Sequence, residues 1–440
     1  MAFMPVLASA QLSSINTFSP YTFYGLGDFH IQGPADLRSM GGAAVGYRMP
    51  WGSTYSLPHG YVNTVNPAAL SATPRQSFHF NFGLEGSNHY LKQKGKETSF
   101  NTFNIRDITY QMPLHKRLAF SISLTPYSSV GYKTEIDESD QAVLDQLYEG
   151  GAIGAKYLYE GDGDINQGKL SIGWQPFSKV PLSVGVDMVY YFGKINRYFN
   201  TNILTRVTDA GYINSQVAQT ESISRIMWNF GLQYNIYNTN NRMLTFGATY
   251  NPGGKLNPDI STRVINSLSI VQTINNGLAD NFKMPSTISA GLYYQTWKLS
   301  AGLDYTYQDW AGKNNRSEVA GTDGSVDMKF RNTNTFKGGI GYTPNRRDIR
   351  RVLPRLTYRL GFRYSDYYMK FNNTNVADKA VTLGLGIPFK FNGNSYLDLG
   401  VELGQRGTTR NNLIKENYFK VSVGFRLFGT DSWFMKMMYD

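Results

Sequence analysis

The feature that most constrains this chain is an alternation of apolar with polar or small residues, in strand-length segments, that recurs from Gln76 onward. Phe78, Phe80, Phe82 and Leu84 share one face, and His79, Asn81 and Gly83 take the other. Leu118, Phe120, Ile122 and Leu124 repeat the pattern over Ala119, Ser121 and Ser123. Leu182, Val184, Val186 and Met188 oppose Ser183, Gly185 and Asp187, and Leu397, Leu399, Val401 and Leu403 oppose Asp398, Gly400 and Glu402. Near the end, Phe419, Val421, Val423, Phe425 and Leu427 oppose Lys420, Ser422, Gly424 and Arg426. Successive side chains of a strand point to opposite faces, so each segment has one apolar and one polar surface. A soluble sandwich or propeller would cover the polar surface with Lys and Glu. Here it is mostly Gly, Ser, Thr or an isolated charge, which suits a confined lumen where charges pair across a barrel. Asp187, Asp304, Asp398, Glu402, Lys420 and Arg426 are expected to face that lumen.

About fourteen segments can be laid out, near 77–86, 99–112, 117–130, 167–176, 181–195, 223–236, 242–251, 285–295, 297–308, 328–343, 355–369, 378–390, 395–405 and 416–427. The second changes phase at Arg106-Asp107, which predicts a β-bulge there. The connections alternate in length. Long ones cover 87–98, 131–166, 196–222, 252–284, 309–327, 370–377 and 406–415; short ones cover 113–116, 177–180, 237–241, Trp297, 344–354 and 391–394. Outer-membrane barrels combine short periplasmic turns with longer external loops, and an even strand number returns the C-terminus to the periplasm. The spacing predicts an all-β protein, a transmembrane antiparallel β-barrel of about fourteen strands over residues 76–440.

Composition removes other classes. Aromatics are 14% of the chain, led by 31 Tyr and 26 Phe, while charged residues are only 17%. That balance fits a lipid-facing wall with aromatic girdles. No run of 18 apolar residues occurs, so no transmembrane helix is expected; the most apolar stretch, Val180 to Phe192, is interrupted by Asp187. The absence of Cys excludes disulfides, a thiol nucleophile and thiolate metal sites. The five His are dispersed, and neither a Gly-x-Ser-x-Gly elbow nor a phosphate-binding Gly loop is present. Neither enzyme activity nor a cofactor is expected. The net charge of +11 is scattered, which fits outer-membrane lipid headgroups and lipopolysaccharide rather than nucleic acid.

Residues 1–10 end in Ala8-Ser9-Ala10 and read as the remnant of a signal peptide, with the mature chain starting at Gln11. Residues 11–75 lack the strand alternation. Their apolar and aromatic content, including Tyr21, Phe23, Leu26, Phe29, Tyr47 and Trp51, argues against disorder. A lumen of fourteen strands is also wide enough to need filling. This segment is expected to be an N-terminal plug.

Within it come Gly25-Leu26-Gly27, then Arg38-Ser39-Met40-Gly41-Gly42-Ala43, then Val65-Asn66-Pro67-Ala68-Ala69-Leu70. A fourteen-stranded barrel preceded by these elements resembles the FadL family of outer-membrane transporters for long-chain fatty acids and other hydrophobic compounds. Asn66-Pro67-Ala68 resembles the family's plug signature. Ser19-Pro20-Tyr21 through Gly27-Asp28, followed by Met40-Gly41-Gly42, resembles the version found in Bacteroidetes. The resemblance covers essentially the whole mature chain. It implies passive uptake of a hydrophobic small molecule through the lumen, with sideways exit through a gap beside a kinked third strand. Pro126 and Gly131 lie in the third segment. Pro126 removes a ladder donor and Gly131 permits a kink, which would open the wall; alternatively, Pro126 ends the strand at the membrane edge. No substrate-binding residue of the family is recognisable, so none is assigned. The family also includes non-transporting members that act with other outer-membrane proteins, as subunits of barrel-assembly or type IX secretion machines. Fold alone does not separate these roles.

Two further clusters stand out. Asp162, Asp164 and Asn166 resemble the start of a calcium loop, although Gln167 stands where a Gly is expected and no bidentate Glu follows; they read as a weak cation site or a solvated acidic loop. Arg346, Arg347, Arg350, Arg351 and Arg355 crowd the longest short-side turn, where they suit a partner protein or anionic headgroups.

Overall fold

Fourteen long strands follow one another in a computed structural model. They are β1 (Ser77–Gln93), β2 (Lys96–His115), β3 (Leu118–Glu138), β4 (Ala152–Trp174), β5 (Leu182–Thr205), β6 (Ser215–Asn238) and β7 (Arg242–Asn251). The second half is β8 (Ser286–Thr296), β9 (Leu299–Asp309), β10 (Thr333–Tyr342), β11 (Thr357–Phe371), β12 (Thr374–Pro388), β13 (Tyr396–Arg406) and β14 (Lys415–Thr430). The structure describes residues 17–49, 62–75, 77–93, 96–148, 152–205, 214–239, 241–266, 270–276, 283–313, 328–348, 350–371, 373–389 and 395–430. Each strand pairs antiparallel with the next, and β1 pairs with β14 from Ser77↔Thr430 to Lys92↔Lys415, which closes the barrel. Closure leaves no open edge, the condition for a sheet to cross a bilayer.

The alternation read from the sequence sets the two faces. Ile122, Leu124, Leu303, Phe362, Leu383 and Leu403 are each close to half exposed or more, and all belong to the apolar series of their strands. Asp187, Asp304, Asp398, Glu402 and Arg426 are buried on the other side. A belt of exposed apolar side chains around a closed sheet is stable only in lipid, so the chain is an outer-membrane β-barrel. The phase change in β2 is the expected bulge: Gly83↔Asp107 is followed by Leu84↔Ile105, leaving Arg106 unopposed.

The long connections are shorter than the sequence suggests. β3 to β6 run to Glu138, Ala152, Thr205 and Ser215, well into the ranges read as loops, and β1 and β2 reach Gln93 and Lys96. Outside the bilayer no lipid demands an apolar outer face. The backbone ladder continues there while the alternation that announces it stops. A further hairpin, Asp259–Asn266 with Ile270–Asn276, adds to the outer half of β6.

Residues 17–49 and 62–75 lie against the inward-facing side of the wall, with short helices at Pro20–Phe23, Ala35–Arg38 and Pro67–Ala72. Small wall residues make this approach possible. A Cβ at Gly185 of β5 would sit 2.4 Å from Ala68 N, and one at Gly361 of β11 would sit 2.2 Å from Gly41 N.

Candidate functional site

The wall is interrupted between β2 and β3. These strands pair only from Ile108↔Leu124 to His115↔Leu118. Beyond that point β2 stays with β1, while β3 continues beside β4. Pro126 marks the parting, since it has no N–H to donate to a ladder. Next to it Tyr127 is an extra residue, between Pro126↔Asn166 and Ser128↔Ile165, and such a bulge bends the strand that carries it. Pro126 therefore does not end the strand. Gly131 keeps its place opposite Asp162 without a positive φ, so the bend lies at Pro126-Tyr127 and not at the glycine.

The edge that β3 turns away from β2 is taken up by the N-terminal segment. Asp28 and Phe29 pair as a two-residue strand with Ser129 and Ser128. His30 N donates to Tyr127 O at 2.9 Å, Ser19 N donates to Gly131 O at 2.9 Å, and Thr22 Oγ1 accepts from Gly131 N at 3.1 Å. Across the break, Phe18 stacks on Phe100 of β2 with ring centroids 3.5 Å apart, and Arg106 Nη2 donates to Ile31 O at 3.3 Å. The segment thus stands in for the missing strand contact.

Buried ion pairs fasten the same segment to the wall. Arg38 Nη1 lies 3.0 Å from Asp107 Oδ1, and Arg38 and Arg106 both approach Glu85, at 3.8 Å and 3.6 Å. The bulge is what lets adjacent residues 106 and 107 both face inward. Asp36 meets Arg426 at 2.8 Å, and Arg426 and Arg359 share Asp398. Asp28 meets Arg406, which also holds Asp378 at 2.8 Å. Ser19 Oγ donates to Glu416 at 2.7 Å, and His89 Nδ1 lies 2.6 Å from the same carboxylate. Charges this deep persist only when paired and hydrogen-bonded.

The signature residues sit within this interface. Asn66 Oδ1 accepts from Ala68 N at 3.1 Å and so caps the turn that Pro67 begins; its Nδ2 donates to Val45 O at 2.8 Å and to Leu232 O at 3.1 Å on β6. Gly41 N donates to Thr382 Oγ1 at 3.0 Å, and Gly41 and Gly42 have φ of +71° and +83°, a pair of left-handed residues that glycine adopts without strain. Ala44 N and Val45 N both donate to Asp304 Oδ2, at 2.6 Å and 2.9 Å.

Beside the break the inside of the barrel is aromatic. Phe29 packs between Tyr127, Trp310 and Tyr368 at centroid distances of 5.3, 5.3 and 5.1 Å, and Phe23 packs on Tyr132 at 4.8 Å. A hollow inside the wall, beside Tyr47, Arg48 and Asn63, measures about 10 Å³, room for one water at most. A larger hollow of about 440 Å³ lies on the outer, membrane-facing side of β9 to β12.

The other sequence candidates lie elsewhere. Asp162, Asp164 and Asn166 are part of β4 and not of a loop, because the ladder runs past the point where the alternation fades. Extended backbone separates such alternate residues by roughly 6–7 Å, and Asp162 instead accepts from Asn196 Nδ2 at 3.5 Å. Among the described residues no group of three His, Cys, Asp or Glu could hold a metal ion. The five arginines occupy the turn between β10 and β11, far in sequence from the break. Residues 1–16, which include the proposed leader, and Trp51 lie outside the described residues. Sequence reasoning missed Asp28, His89, Arg106, Asp107, Arg406 and Glu416; their partners are distant in sequence, and no local spacing marks them.

A family model described as BamG matches residues 1–440. No curated protein matches the chain by sequence. Among solved structures, the Pseudomonas putida toluene transporter TodX is 18% identical, covers 92% of this chain and 100% of its own, and has a TM-score of 0.56. The Ralstonia pickettii toluene transporter TbuX is 15% identical, over 91% of this chain and 98% of its own, with a TM-score of 0.51. A Pseudomonas aeruginosa FadL homologue is 11% identical, over 92% and 99%, with a TM-score of 0.52. At such identities the likeness is one of fold, and that fold is the FadL-type barrel.

Proposed function

Because this chain belongs to the BamG family and has a FadL-type barrel, we propose that it admits an apolar small molecule across the outer membrane, with residues 11–75 as its plug. The observation that carries the reading is the break between β2 and β3, bridged among the described residues by the N-terminal segment. An apolar molecule cannot pass a continuous hydrogen-bonded wall sideways, but it can pass where two strands are joined through a separable segment. Displacing Asp28–Phe29 from Ser128–Ser129 would open a path from the aromatic interior into lipid. Transfer into hydrocarbon is favourable for such a solute, so the passage needs no chemistry and no energy source. The transport channels of like fold are called toluene transporters, which supports an apolar cargo here.

One observation favours a second reading. The described interior is packed with aromatic rings and cross-linked by buried ion pairs. A rigid, filled barrel suits a non-transporting subunit of a multi-protein outer-membrane assembly. Gentle detergent extraction from the native membrane, with mass spectrometry of co-purifying proteins and lipids, separates the two. A lone barrel carrying a bound apolar molecule is the expected result. Stoichiometric partner proteins that survive size exclusion would overturn uptake in favour of the assembly.

A further inference from the structure

The outer face of the barrel carries a groove of about 440 Å³ over β9 to β12. Gly338 is one of the residues that line it. On neighbouring strands the same row is occupied by Leu303, Phe362 and Val381, each more than half exposed, and the row below by Ile340 and Leu360. Phe362 and Leu303 lean over Gly338, where an added Cβ would meet them at 2.5 Å and 2.9 Å, so the groove is a slot between large apolar side chains, and it opens to hydrocarbon because this face is in lipid.

The cationic turn lies directly below. Residues 343–356 join β10 to β11, the two strands that frame the slot, and Gly338 is about 16 Å along the strand from the start of the turn. The turn is built rather than loose. Asp348 Oδ1 accepts from the backbone N–H groups of both Arg350 and Arg351, at 2.9 Å each. That use of the carboxylate leaves both guanidinium groups outward; both residues are exposed, and among the described residues neither has an ion pair. Arg347 is held over the Trp297 ring at 4.8 Å, beside β9. Val352 and Leu353 are 51% and 69% exposed on the same turn, an apolar foot suited to the leaflet below the slot.

We infer that this face is a binding site for one phospholipid with an anionic headgroup, its acyl chain along Leu303, Phe362 and Val381 and its phosphate against Arg347, Arg350 and Arg351. An acyl chain matches the slot in polarity, and the distance from slot to turn is within a lipid's length. Guanidinium groups fork onto phosphate oxygens, and net negative charge on the headgroup is what several of them together select.

Native mass spectrometry tests the site on the full barrel, with phosphatidylglycerol and phosphatidylcholine of identical acyl chains as probes. One phosphatidylglycerol per barrel is expected to survive delipidation, with phosphatidylcholine lost. Replacing Arg347, Arg350 and Arg351 together by Ala is expected to weaken phosphatidylglycerol retention by about tenfold or more. Val381→Trp, which crowds the slot from its exposed rim, is expected to reduce retention of that lipid without touching the turn. Equal retention of the two lipids, or arginine-free turns that hold phosphatidylglycerol as before, would overturn the inference. So would loss of a co-purifying protein, and not of lipid, on removing the arginines. Should Val381→Trp fail to fold, the headgroup comparison and the turn variant still decide it.

Discussion

Arg38 Nη1 lies 3.0 Å from Asp107 Oδ1, with the two side chains only 4% and 2% exposed, and this pair joins the N-terminal segment to the second barrel strand. Removing the carboxylate leaves the buried guanidinium with the Gly33 carbonyl at 3.2 Å and the more distant Glu85 at 3.8 Å, and no close counter-charge. Asp107→Ala is expected to cost about 3–5 kcal/mol locally, the usual penalty for orphaning one member of a buried pair. The check is limited proteolysis together with the heat-modifiable gel shift. The N-terminal segment should become cleavable while the barrel still runs as a folded species. An unchanged cleavage pattern would mean that the pair does not hold the segment.

Asn66 carries a second anchor, since one amide caps Ala68 N and also donates to Val45 O and Leu232 O. Asn66→Ala leaves two buried carbonyls and one N–H without this partner, at about 1–3 kcal/mol each at most. Asn66→Asp keeps the cap but loses the donors, so it should recover only part of the loss. The temperature of the gel shift should fall in the order wild type, Asp variant, Ala variant.

Much of this architecture was legible in the sequence, and the reason is periodicity. Phe419 to Leu427 alternate because lipid lies on one side and a packed lumen on the other, and each membrane-crossing strand obeys the same rule. Even the bulge at Arg106 showed as a change of phase. The outer parts of β4 and β5 were hidden because, clear of the bilayer, both faces tolerate polar residues. The anchors were hidden for another reason. Ser19 meets Glu416, and Asp28 meets Arg406, across nearly the length of the chain, and no local pattern encodes such distance. Pro126 was readable as a disturbance, but only tertiary structure decides that β3 bends there and continues.

Glycines on the inner wall give a matched pair of tests. A methyl group at Gly185 would meet Ala68 N at 2.4 Å and Pro67 C at 2.4 Å, both backbone atoms that cannot swing aside. At Gly168 of β4 nothing lies within 4 Å. Gly185→Ala is therefore expected to push the 67–72 turn away from the wall, costing about 1–3 kcal/mol as overpacking does, whereas Gly168→Ala should be close to neutral. Comparable gel-shift temperatures for the two variants would contradict the close approach.

The central claim is that an apolar molecule leaves through the break between β2 and β3 when the N-terminal segment lets go of β3. Phe29 and Ser128 are direct partners across that contact, and the chain has no other thiol to interfere. Directly opposed strand residues have Cα atoms about 4.5–5.5 Å apart, within reach of a disulfide. The measurement is flux of a fluorescent fatty acid into liposomes containing the Phe29→Cys/Ser128→Cys variant, oxidised and then reduced in the same preparation. Oxidation is expected to abolish barrel-dependent flux, and reductant to restore it. Equal flux in the two states, or none from the reduced and the wild-type barrels alike, would contradict the claim.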